Sequence, residues 1–267
     1  MHRGPDRVQR ACGVMIVTVA AALLSCHPAR RTATATPAPA TLPNTPMTLE
    51  AARAAERQRV PLPDAWTLSA AHNTAVAPHA MVASNSALAS QAGIEILREG
   101  GNAVDAAVAV GFALAVAHPE AGNLGGGGYM LIRLNDGRSF ALDYREVAPH
   151  AATRNMFLDA QGHVTDRSQV GHLASGVPGS VAGLTAALTR YGTMPLARVM
   201  APAIRLADSG FTVDSVLARS VAGNASRIAP YAGAAVFLPG GHPLAMGSMF
   251  RQPALAATLR SIAARGA

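Results

Sequence analysis

The sequence predicts a mixed α/β body, and three observations carry that reading. Apolar residues recur at helical spacing through Leu88, Ala92 and Ile96. A run from Ala103 to Ala117 is apolar nearly all round, as a buried helix requires. Two strand-like segments, Tyr129–Leu134 and Ser139–Tyr144, flank the turn dipeptide Asp136-Gly137. Across 267 residues, 50% are hydrophobic and 14% charged, which excludes a wholly disordered chain, a coiled coil and a collagen-like repeat. Aromatics make up only 4%, so the core must be built from Ala, Val, Leu and Ile.

Taken in chain order, residues 1–10 carry Arg3, Arg7 and Arg10, and Ala11–Leu24 has no charge. Fourteen helical residues rise about 21 Å, short of the roughly 30 Å of a bilayer core. A basic start and a short apolar run read as a secretory signal. It ends in Leu23-Leu24-Ser25-Cys26, which resembles the bacterial lipobox, with Cys26 the lipidated residue. An ordinary signal peptide that happens to contain a cysteine is the alternative. If Cys12 leaves with the signal and Cys26 is capped, no thiol remains for a disulfide, a zinc site or a nucleophile. Residues 27–74 read as an Ala/Thr/Pro-rich tether with a short helix at Met47–Val60, and residues 75–267 as the globular domain.

Within that domain Met81-Val82-Ala83 suits a short strand, and Ser86–Glu99 a helix stopped by Gly100-Gly101. Asn102 with Asp105 three residues on has the form of a helix cap and its acidic partner. Pro119 ends the apolar helix. A two-residue loop at Asp136-Gly137 would pair Asn135 with Arg138, and hence Gly128 with Arg145. Pro178 leads a helix over Gly179–Arg190, Pro195 one to Ser209, and Thr212 or Asp214 caps a third to Ile228. Phe237–Met249 reads as loop and Arg251–Ala264 as the last helix.

All 22 basic residues are Arg against 15 acids, for a net charge of +7. They are scattered, and no basic stripe interleaves with aromatics as a nucleic-acid groove would need. The segment Gly122-Asn123-Leu124-Gly125-Gly126-Gly127-Gly128 lacks the strand before, the helix after and the lysine of a phosphate cradle. It is either a ligand-hugging backbone, with Gly127 and Gly128 contributing, or a tight helix-to-strand connection; composition favours the second. Arg145, in Asp143-Tyr144-Arg145-Glu146, is either a surface arginine paired with Asp143 or Glu146, or a planar fork for a ligand carboxylate. His118, His163, His172 and His242 show no metal-ligand spacing, and no metal or cofactor is expected. Ser180, in Pro178-Gly179-Ser180-Val181-Ala182-Gly183, misses the nucleophile-elbow spacing and reads as a helix-start serine. No Asp/Glu pair stands out as an acid/base couple.

Five motifs in order resemble the gamma-glutamyltransferase (glutathione hydrolase) family: Gly100-Gly101-Asn102-Ala103-Val104-Asp105-Ala106-Ala107-Val108-Ala109, Pro119 through Met130, Asp143-Tyr144-Arg145-Glu146-Val147-Ala148-Pro149, Gly176-Val177-Pro178-Gly179-Ser180-Val181-Ala182-Gly183-Leu184, and Tyr191-Gly192 with Ala201–Ala207. The resemblance implies part of an N-terminal-nucleophile hydrolase, a four-layer α-β-β-α sandwich whose precursor cleaves itself before a threonine. That threonine's amine serves as the base for its own hydroxyl. It implies gamma-glutamyl transfer from donors such as glutathione to water or to amino acids and peptides, with Arg145 gripping the alpha-carboxylate. The chain ends inside what resembles the large subunit, so the expectation is a truncated or split enzyme, inactive alone, whose partner is the small-subunit half. Ala103–Ala117 is expected to lack its covering layer there. An exported, periplasmic, lipid-anchored protein is expected. The alternatives are a cephalosporin or glutaryl acylase of the same fold, and a non-catalytic lipoprotein binding a small acidic ligand.

Overall fold

The computed structural model describes residues 76–267. The signal segment, Cys26, the tether and the helix expected at Met47–Val60 lie outside the described residues. Helix α1 spans Ala87–Arg98 and α2 spans Ala103–Ala117. Strands β1 (Tyr129–Arg133) and β2 (Ser139–Asp143) form an antiparallel hairpin. Helices α3 (Ser180–Tyr191) and α4 (Leu196–Ser209) follow. Short strands β3 (Phe211–Thr212) and β4 (Met249–Phe250) pair with each other. Between them lie α5 (Ser215–Gly223), α6 (Ala225–Ile228) and α7 (Ala234–Phe237), and α8 (Pro253–Arg265) closes the chain.

Helix α2 is the hub. Val108, Ala109, Phe112, Ala113 and Val116 are wholly buried. Packed around it are α1, α3 and α4, which cover most of the helix, so the expectation of a missing layer is corrected except along Ala103, Ala107, Val110 and Leu114, which stay exposed or half-buried. Truncating a filled position such as Phe112 to Ala would cost about 3–5 kcal/mol. The start of α2 is fixed by a complete capping box: Asn102 Oδ1 accepts from the Val104 and Asp105 amides, and Asp105 Oδ2 accepts from the Asn102 amide. Asp105 also accepts from the Thr193 hydroxyl and from the Thr193 and Met194 amides. One buried carboxylate thereby ties the α2 start to the α3–α4 turn. Burial by itself would raise its pKa, but the Thr193 hydroxyl and the three amides outweigh that and hold it below the usual carboxylate value.

Three expectations are corrected. Met81–Ala83 forms no strand, since no strand among the described residues pairs with it; Val82 instead packs against Gly93. Of the two caps expected for the helix running to Ile228, Asp214 is the one used, with the helix starting at Ser215, because Thr212 is drawn into pairing with Met249. It breaks at Asn224, whose side-chain amide donates to the Ser220 carbonyl. Most consequential is the hairpin register. Gly137 takes a positive φ of 89°, and Asp136 Oδ1 accepts from the Arg138 amide. The loop is therefore three residues, Asn135 to Gly137, with Leu134 donating to the Arg138 carbonyl. Every pair shifts by one: Tyr129 faces Asp143 and Gly128 faces Tyr144.

Candidate functional site

The glycine loop, the end of β2 and the start of α3 converge in one place. Gly128 and Tyr144 exchange both backbone hydrogen bonds, at 3.3 and 3.0 Å. Gly127 thus lies beside Arg145: a Cβ there would stand 2.6 Å from the Arg145 Cα and 2.5 Å from the Glu146 amide nitrogen and the Tyr144 carbonyl. From the other side, a Cβ on Gly179 would stand 2.0 Å from the Tyr144 carbonyl, and one on Gly183 would meet the Tyr144 ring. The glycines at these positions let three backbones touch. Gly125, by contrast, has nothing within 4 Å of its would-be Cβ.

Two of the four main-chain donors of Gly125–Gly128 are committed. The Gly126 amide donates to Asn123 Oδ1 at 2.7 Å, and the Gly128 amide is held in the hairpin ladder. The Gly126 carbonyl accepts from the Gly179 and Ser180 amides, at 2.8 and 3.0 Å. Of the two glycines singled out in the sequence, Gly127 therefore abuts Arg145 and Gly128 is spent on strand pairing.

Arg145 itself follows the alternation of β2. Tyr144 turns inward against α3, where burial raises its phenol pKa, while Arg145 and Asp143 turn outward. The Arg145 amide donates to Asp143 Oδ1 at 3.0 Å, which pins the backbone turn. Its side chain is 52% exposed, and Nη2 meets Glu146 Oε1 at 3.1 Å. The other Glu146 oxygen is buried with no partner among the described residues. The pairing with Glu146 is thus real, but it uses one edge of a guanidinium that has five donors. The remaining donors face outward on the side of the hairpin that also presents Tyr129 and Leu131, the latter 85% exposed.

Other candidates lie elsewhere. The Ser180 side chain is buried and donates to Asn123 Oδ1, so it is a helix-start serine, as read. His163 Nδ1 lies 3.2 Å from Asp159 Oδ2, an i, i+4 pair on the surface. Among the described residues no group of three or more His, Cys, Asp or Glu could hold a metal. No helix among them is long and apolar enough to cross a membrane. A cavity of about 490 Å³ opens between Pro119-Glu120, Val170 and the α5–α6 region, and Arg145 does not line it.

The sequence pattern of the gamma-glutamyltranspeptidase family matches residues 89–267. The chain is 53% identical over 193 residues to the glutathione hydrolase proenzyme of Escherichia coli, covering 71% of this chain and 33% of that one. Among solved structures it is similar to Helicobacter pylori gamma-glutamyltranspeptidase, with a TM-score of 0.68 and 45% identity over 72% of this chain and 55% of that one. It is also similar to a cephalosporin acylase from Bacillus halodurans, with a TM-score of 0.67 and 31% identity over 76% of this chain and 39% of that one. The mixed helix-and-strand body is therefore part of an N-terminal-nucleophile hydrolase fold. The chain spans about a third of the length of the curated relatives it matches.

Proposed function

Because the chain belongs to the gamma-glutamyltranspeptidase family, we propose that it is the N-terminal part of an enzyme that cleaves gamma-glutamyl amides. Glutathione is the expected donor. In this reading Arg145 binds the alpha-carboxylate of the gamma-glutamyl group. The acyl group passes to a threonine supplied by the remaining length of the enzyme, and from there to water or to an amino acid or peptide.

The observation that supports this best is the mounting of Arg145. Its backbone is wedged against Gly127 and pinned by Asp143, and Glu146 steadies one edge of its guanidinium. The planar fork is left to meet a carboxylate in bidentate fashion. The face it shares with Tyr129 and Leu131 is where the rest of the precursor would pack, enclosing the fork and strengthening its grip by excluding water. Export to the cell envelope, with a lipid on Cys26, belongs to the same proposal and rests on the Leu23–Cys26 segment.

The test is turnover of a gamma-glutamyl anilide by the joined precursor, in which this chain is completed by the C-terminal part of the Escherichia coli relative. Arg145→Ala is expected to abolish most of it; turnover at the wild-type level would refute the assignment. The likeness to a cephalosporin acylase favours a second reading, an acylase for amides whose acyl group lacks the alpha-amino group. Faster hydrolysis of a glutaryl anilide than of the gamma-glutamyl anilide would select it.

A further inference from the structure

Ser180 and Asn123 meet across 57 positions of sequence. Asn123 Oδ1 accepts two hydrogen bonds, from the Gly126 amide at 2.7 Å and from the buried Ser180 hydroxyl at 2.8 Å. Asn123 Nδ2 donates back to the Ala121 carbonyl at 3.1 Å, which sets the amide's orientation. The same two segments are joined a second time, since the Gly179 and Ser180 amides both donate to the Gly126 carbonyl. Those amides belong to the unpaired set at a helix start, so the glycine loop supplies the acceptor for two donors of the α3 terminus. The next residue along the loop is Gly127, seated against the Arg145 Cα.

We infer that Asn123 and Ser180 are positioning residues for Arg145: they lock the glycine loop onto α3, and the locked loop fixes the backbone from which the guanidinium projects. A glycine-rich segment has more conformational freedom to lose than any other, so without a latch its position beside Arg145 would be poorly held. Asn123 closes the latch from the loop side and Ser180 from the helix side. Neither touches the ligand in this scheme. The inference rests on the reading of Arg145 as a carboxylate clamp, and the experiment separates the two.

The joined precursor is assayed on two anilides, the gamma-glutamyl compound and its 4-aminobutanoyl counterpart, which lacks only the alpha-carboxylate. Asn123→Ala and Ser180→Ala should each lower kcat/KM for the first about tenfold, chiefly through KM, and leave the second within about twofold. Asn123→Asp keeps the Oδ1 acceptor but sets its second oxygen against the Ala121 carbonyl, and should restore part of the loss. A parallel fall on both substrates would show that the latch only holds the fold, and would overturn the inference. So would wild-type selectivity in Asn123→Ala and Ser180→Ala alongside a selective loss in Arg145→Ala, which would leave the clamp standing. If Arg145→Ala itself fails to discriminate, the clamp falls and the latch with it.

Discussion

Gly127 and Arg145 lie back to back, so close that a methyl group on Gly127 would stand 2.6 Å from the Arg145 Cα. That close contact is what the glycine provides at this point. It predicts an uneven tolerance along the run. Gly127→Ala must push backbone atoms of Tyr144 and Glu146 and should cost about 1–3 kcal/mol. Gly125→Ala, with open space around it, should change stability by less than about 0.5 kcal/mol. Denaturant unfolding of the two variants checks this, and equal costs would contradict the packing account.

Asp105 predicts acid sensitivity. Its folded pKa lies below the ordinary value of about 3.9, so its stabilisation is fully present above that pH and is lost as pH falls through the folded value. Asp105→Asn would set an amide group among donors that need acceptors, costing about 2–4 kcal/mol at neutral pH. Unfolding at pH 7 and pH 3 should show a smaller difference for the variant than for the parent. An unchanged acid slope would mean that another carboxylate dominates.

The outward face of the hairpin predicts a split between folding and assembly. Leu131 is 85% exposed, so Leu131→Asp should leave the chain's own stability within about 0.5 kcal/mol. In the joined precursor the same change would bury a charge under the remaining part of the enzyme and should lower the yield of active protein. Full activity of that variant would show that this face stays open to solvent.

Much of this was legible in the residues, for reasons that differ from element to element. Helix α2 was readable over its full length because its cap residues, its apolar run and Pro119 agree. The body of α4 was readable between Pro195 and Gly210 for the same kind of reason. The hairpin's existence was plain, but its register was not. Asp136-Gly137 signals a turn equally well in a two-residue loop and as the end of a three-residue one, and the choice lay in the φ of Gly137 and the Asp136 side chain. That single step moved Gly128 from Arg145 to Tyr144 and put Gly127 in its place. Arg145 could be singled out only through the family resemblance, because an arginine between acids at a strand end reads equally well as a surface ion pair. The Asn123–Ser180 latch could not, because nothing local marks two polar residues 57 positions apart as partners.

The most direct measurement is the ratio of kcat/KM for the gamma-glutamyl anilide to that for its 4-aminobutanoyl counterpart, in wild-type and Arg145→Ala precursor. Losing a charged contact of this kind should lower the first rate by about 2–4 kcal/mol, roughly 30- to 1,000-fold, and leave the second nearly unchanged. The ratio is thus predicted to collapse in the variant. A ratio equal to the wild-type value would contradict the account.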